Sequence, residues 1–226
     1  GTITLTGADS NTNNIDVGSG QTATVSSKIV SSTSTLYKSG LGTLILSGAN
    51  GSSGISSGLS VSNGRLQLGS ADALGSSASA VTVSSGATLD LNGQSVSNTN
   101  SLTISGTGAA SAGGVLINTN TTAASYAGLI NLAADSTINA SSGNITLSNT
   151  GTITGSGYRI TVDGSADTSI SSIIGTGSGG ITKNGTGTLT LSGANTQTGS
   201  ISVTAGRLKL GNAQADRKST RLNSSH

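Results

Sequence analysis

Asp163 and Asp167 lie close together in the chain, with Arg159 just upstream. Carboxylates beside a cationic side chain, lined up on one outer face of a repeating strand structure, could do the acid–base work of a polysaccharide lyase or hydrolase. The other acids available for such chemistry are Asp9, Asp16, Asp72, Asp90 and Asp135, and the chain has no glutamate. Solvated charges that blunt strands and turns account for the same residues without any chemistry. A sugar site usually offers aromatic platforms as well. The aromatic residues are Tyr37, Tyr126 and Tyr158, expected as half-buried packing residues. A Ser-His-Asp triad needs an imidazole base, and the one histidine, His226, is the last residue. Zinc needs His or Cys, and there is no cysteine. Asp163-Gly164 stands alone, unlike the repeated Gly-Asp nonapeptides of a calcium solenoid. The glycine run at 175–180 reads as turns, not as a phosphate loop ahead of a helix. The expectation is therefore no catalytic residue, no metal ligand and no cofactor.

The elements around these residues are easier to read. Glycine numbers 35, and Pro, Met, Trp and Phe are absent. Val, Ile and Leu recur in pairs at alternate positions, which is the spacing of strands with one face buried. Disordered polar tracts do not keep such order. Scarce helix formers argue against helix, and no apolar run is long enough to cross a bilayer as one. Strands are expected at Thr2–Leu5, Asn14–Val17, Thr22–Val25, Thr43–Leu46, Leu59–Val61, Arg65–Leu68, Ala80–Val83, Thr88–Leu91 and Ser101–Ile104. They continue at Gly114–Ile117, Gly128–Leu132, Ser136–Asn139, Asn144–Leu147, Thr152–Thr154, Tyr158–Val162, Thr168–Ile174, Thr188–Leu191, Ser200–Val203 and Arg207–Leu210. Gly, Asn, Ser and Asp separate them as turn residues.

Two stretches are nearly identical: GTLILSGAN at Gly42–Asn50 and GTLTLSGAN at Gly187–Asn195. Each follows a lysine and a glycine (Lys38, Gly40; Lys183, Gly185), and each precedes a second strand, GRLQLG at Gly64–Gly69 or GRLKLG at Gly206–Gly211. Val25 aligns with Ile170, and Ile29 with Ile174, at the offset that aligns the lysines. The first copy has extra residues around Gly51–Gly58, expected as an outside loop. Asn50 and Asn195 are either plain turn formers or rungs of a stacked polar ladder. Lys38 and Lys183 are expected to cover apolar surface with their stems.

The last stretch, DRKSTRLNSSH from Asp216, breaks this texture and resembles a translated sequencing adapter. Residues 216–226 are accordingly expected to be a non-native tail on a repeat body of residues 1–215. The tail holds three of the ten basic residues and one of the eight acids, so the body is neutral although the whole chain carries +2. The basic balance thus gives no support for a nucleic-acid or membrane-surface partner. The opening strand, without an initiator Met or signal peptide, suggests a start that is also cut short.

A body poor in aromatic residues and rich in short aliphatic pairs favours an all-β parallel β-helix over a sandwich. One coil cannot stand alone. Burying about four aliphatic side chains at roughly 1.5–3 kcal/mol each does not match about 1–2 kcal/mol per residue of backbone ordering. Stacked coils add hydrogen bonds and cover both faces of each layer.

The lysine, the glycines, TLxLSGAN and the later GxLxLG together resemble the passenger-associated strand repeat of Gram-negative autotransporters. The match covers Lys38–Ala71 and Lys183–Ala213, and Ala73–Gly93 resembles what commonly follows the repeat. The resemblance implies a right-handed, single-stranded parallel β-helix, secreted and displayed at the cell surface. It implies tethering to the outer membrane by a C-terminal β-barrel of the same parent chain. It implies a structural stalk rather than an enzyme. An adhesin binding a host surface, glycan, matrix or other bacteria through the outer face is the alternative, and a carbohydrate-active enzyme is a third.

Overall fold

The computed structural model describes residues 1–6 and 13–215. Asp9 and the tail from Asp216 to His226 lie outside the described residues. The alternating aliphatic pairs form short strands, apart from one of 10 residues, Ile130–Asn139. No helix is present among the described residues. Every strand pairing there is parallel. The chain winds as a β-solenoid of about 9 turns.

Three faces repeat around the axis. Asn14–Asp16, Leu36–Ser39, Leu59–Val61, Val81–Val83 and Leu102–Gly106 stack on the first face. Thr22–Val25, Thr43–Leu46, Gly64–Leu68, Ala87–Asp90 and Leu116–Ile117 stack on the second. Ser95–Val96, Ala124–Tyr126, Ile145–Leu147, Thr168–Ile170, Thr188–Leu191 and Arg207–Leu210 form the third. Nearer the N-terminus the third face is irregular: Thr2–Thr4 pairs with Lys28–Val30, and Ser31 bridges Ile55. Strand Ile130–Asn139 belongs to two faces at once. Its start pairs with Leu102–Gly106, and its end with Leu116–Ile117 and Ile160–Asp163.

Registration puts like on like. On the second face Leu44, Leu66, Leu89, Leu116, Ile138 and Val162 follow one another strand by strand, and all are buried. Val61, Val83 and Ile104 do the same on the first face, and Tyr126, Leu147, Ile170 and Leu191 on the third. Successive strands lie about 4.8 Å apart, so each aliphatic group touches its counterparts above and below. The result is one dry column, and Leu44, Leu46, Leu189 and Leu191 all face it.

Several local expectations are corrected. Strands Lys28–Val30, Leu36–Ser39, Ser95–Val96, Ala124–Tyr126 and Ile181–Lys183 are too short or too polar to stand out in the sequence. The expected strand at Thr168–Ile174 divides into Thr168–Ile170 and Ile173–Gly175, because the chain turns a corner between two faces. Conversely, the two expected at Gly128–Leu132 and Ser136–Asn139 fuse. The insertion around Gly51–Gly58 is not wholly outside, since Ile55 enters the core at 0% exposure. Tyr126 is fully enclosed, not half-buried. Its ring fills a column position between Val96 and Leu147, and its hydroxyl donates to the Asn100 carbonyl at 2.8 Å, which satisfies its polar tip. Tyr37 and Tyr158 are half-buried, as expected.

The two sequence repeats do not lie on the same side. Thr43–Leu46 and Gly64–Leu68 of the first copy are on the second face, whereas Thr188–Leu191 and Arg207–Leu210 of the second copy are on the third. Between the copies the chain makes a whole number of turns plus one face. Each repeat is thus a coil module whose internal contacts survive rotation about the axis.

Candidate functional site

Inside each repeat the asparagine and the lysine perform one job apiece. Asn50 accepts from the Ile29 backbone N–H at 2.8 Å and donates to the Ala73 carbonyl at 3.0 Å, so it ties one coil to the coils on both sides. Asn195 makes the matching bonds, from Ile174 N–H at 2.9 Å and to the Ala215 carbonyl at 3.0 Å. Both side chains are buried and bond only backbone of the coils on either side, so they are neither exposed turn formers nor rungs on a ladder of stacked polar side chains. Asn50→Ala would leave a buried donor and a buried acceptor unpaired. We expect a loss of about 2 kcal/mol, read as a lower urea midpoint.

The lysines do not lie over the surface. Lys38 and Lys183 occupy inward positions, Lys38 between Ile15 and Val61, and Lys183 between Val162 and Val203. Each is 1% exposed. The stem packs in the column and the ammonium reaches a corner, where Lys38 donates to the carbonyls of Ser39 at 2.8 Å, Gly40 at 2.6 Å and Asn63 at 3.0 Å. Lys183 donates to the Gly185 carbonyl in the same way. Repeated lysines are therefore corner clamps that draw otherwise solvated carbonyls together.

Burial lowers the Lys38 ammonium to about 8, against an upward pull from Asp16. Lys183 is lowered too, burial outweighing the upward pull of Asp163 and Asp167. Burial raises the Tyr126 hydroxyl. In the unfolded chain each lysine returns to its ordinary 10.5. For Lys38 the unfolded state then binds more protons between about pH 8 and 10.5, so stability rises with pH across that window and is level below about 8, where both states are protonated, and Lys183 acts in the same direction. Tyr126 acts oppositely: its contribution is complete below pH 10 and is lost as pH climbs beyond. Urea titrations should show the unfolding free energy climbing from pH 8 towards 10, and Lys38→Met should flatten the climb.

The aspartates are placed singly. Asp163 lies on the outer side of the second face, where its Oδ1 accepts from the Gly164 N–H at 2.7 Å. Asp167 sits at the corner before the third face and accepts from the Thr188 N–H at 2.6 Å. Asp135 accepts from the Arg159 N–H at 2.8 Å, and Arg159 Nη1 donates to Thr182 Oγ1 at 3.0 Å. Asp16 Oδ2 accepts from Ser39 Oγ at 2.6 Å, and Asp72 Oδ1 from Asn98 Nδ2 at 3.4 Å. No hydrogen bond or ion pair among the described residues joins Asp163, Asp167 and Arg159 to one another. Among the described residues no group of three His, Cys, Asp or Glu is arranged to hold a metal ion.

Asp90 was the residue whose setting the sequence did not announce. It is 0% exposed, 3.6 Å from Arg65 Nη1, and accepts from Gln67 Nε2 at 3.1 Å and Thr119 Oγ1 at 2.6 Å. Backbone N–H groups of Asn92 and Thr119 complete the shell at 3.0 and 3.2 Å. Its environment is a fully satisfied brace across three coils, with no open side for a substrate.

An open groove of about 650 Å³ lies on the outer side of the second face. Residues 107–113 form its wall, and Thr137, Thr161, Asp163 and Asn184 its floor. The wall is pinned where Ala109 N–H donates to Thr88 Oγ1 and that hydroxyl donates to the Gly114 carbonyl, both at 2.9 Å. One carboxylate lines the groove, that of Asp163.

Compared with known families, two segments match the passenger-associated-transport-repeat, residues 36–68 and 181–210. These are the two lysine-to-GRLxLG cassettes, now seen as coil modules on adjacent faces. No curated protein and no solved structure is significantly similar to the chain.

Proposed function

We propose that this chain, which carries two passenger-associated-transport-repeats, is a length of autotransporter passenger that acts as a rigid stalk and carries out no reaction of its own. The observation behind this reading is the buried, mainly aliphatic column, clamped at its corners by Lys38, Lys183, Asn50 and Asn195. A stack of coils locked to one another in this way resists bending and transmits tension along its axis. Residues 1–215 form the working unit. Its place is the cell surface, and its partner is a C-terminal β-barrel of the parent chain in the outer membrane. Sequential stacking of coils on the outside opposes back-sliding of the chain during export.

The test is to fuse the chain between an N-terminal fluorophore tag and an outer-membrane β-barrel translocator, with one, two or three tandem bodies. The tag should appear outside the cell, and its distance from the membrane should grow by about 4.8 Å for each coil added. A tag that stays at one distance whatever the number of bodies would overturn the stalk reading.

A further inference from the structure

We propose that the groove on the second face binds a neutral saccharide chain, a property beyond the stalk role. Parallel registration lays polar residues in rows along the axis. Thr137, Thr161, Thr182 and Ser202 form one row. Asn139 and Asp163 follow two residues later in the same strands, with Asn184 just beyond Lys183. The rows advance by one strand spacing per coil, about 4.8 Å, which is close to the length of one pyranose unit in an extended glycan.

The floor has unspent hydrogen-bonding capacity. The hydroxyls of Thr137 and Thr161 and the Oδ2 of Asp163 make no hydrogen bond among the described residues. Donors and acceptors are mixed, which suits sugar hydroxyls that both give and accept.

The surrounding chemistry rules out other classes of ligand. The nearest cations are committed elsewhere, Lys183 to the Gly185 carbonyl and Arg159 to Thr182. With Asp163 on the floor, an anionic polymer meets a negative charge and no open cation. Ala109 and Ala110 are the largest apolar groups in the lining, so an apolar ligand finds little surface. The groove is open along its length, which fits a chain rather than an enclosed small molecule.

The experiment uses the full 226-residue chain on an array of neutral hexose and N-acetylhexosamine oligomers of increasing length, beside heparin and hyaluronan fragments. Neutral oligomers should be retained, with affinity rising with length and levelling once the groove is filled. Thr161→Val should weaken retention about tenfold with an unchanged unfolding midpoint, and Asp163→Ala should weaken it as much while also losing the bond from the Gly164 N–H. Asp163→Asn, which keeps the side-chain shape, serves if the alanine variant is unstable. No retention of neutral oligomers, retention of the anionic fragments alone, or equal retention by wild type and variants would overturn the proposal. Each of these results leaves the stalk reading standing, because that rests on tag distance and not on binding.

Discussion

Asp90→Ala is expected to lower stability by about 3–5 kcal/mol, the range for removing one member of a buried ion pair. The carboxylate is wholly enclosed, and its removal strands several partners together: the Arg65 guanidinium, the Gln67 amide, the Thr119 hydroxyl and two backbone N–H groups. Arg65 is 29% exposed along its side chain, and Gln67 and Thr119 are partly exposed as well, so each recovers only part of its lost bonding from water. Asp90→Asn should cost less. Its Oδ1 still accepts from Asn92 and Thr119, but an amide nitrogen replaces the oxygen that Gln67 and Thr119 donate to. Asp16→Ala, at the exposed start of the solenoid, should change little. Urea unfolding of the three variants checks the order, and a near-neutral Asp90→Ala would show that the brace carries no strain-bearing role.

Gly64→Ala is the second large effect, at about 2–5 kcal/mol. The residue has φ of 64°, in the left-handed region, which costs an L side chain roughly 1–2 kcal/mol. A Cβ there would also lie 2.5 Å from the carbonyl oxygens of both Gly40 and Gly42. Relieving that overlap means moving backbone that Lys38 holds, and overpacking of this kind adds about 1–3 kcal/mol. Gly20→Ala is the control: its φ is 73°, but nothing lies within 4 Å of the new methyl. It should lose only the conformational part, about 1 kcal/mol. Thermal midpoints that fall equally for the two variants would refute the crowding argument. Gly206, with φ of 73° and the carbonyls of Gly185 and Gly187 equally near, should behave as Gly64 does.

The two variants bear on one pattern, the lysine followed by spaced glycines in each repeat. From the sequence, the glycines read as turns and the lysine as a stem over apolar surface. In the fold they are parts of a single corner. Glycine lets two carbonyls of one coil press against the backbone of the next, and the lysine ammonium neutralises the carbonyls so gathered. Nothing in the spacing shows that the carbonyls converge, because the partners are a coil apart. Asp90 was hidden for the same reason, since Gln67 and Thr119 meet it only after stacking. The groove was equally out of reach. Its wall comes from residues 107–113 and its floor from strands much later in the chain.

Strand positions fared better, because alternation is a local property. Thr22–Val25, Thr43–Leu46, Leu59–Val61, Thr152–Thr154, Thr188–Leu191 and Arg207–Leu210 begin and end where the alternation does. Where polar residues fill the outer positions and only one aliphatic points inwards, as in Leu36–Ser39 and Ile181–Lys183, the period was masked.

Period-two aliphatic pairs with glycine and asparagine between them were enough, by themselves, to determine an all-β stack of parallel coils, since no lone coil could offset its own ordering entropy. Tertiary structure alone decided which face each repeat occupies, which lysine turns inward and which polar rows stay open to a ligand. Those outcomes depend on the number of residues spent at every corner, summed along the winding, and that sum exists only once the coils are stacked.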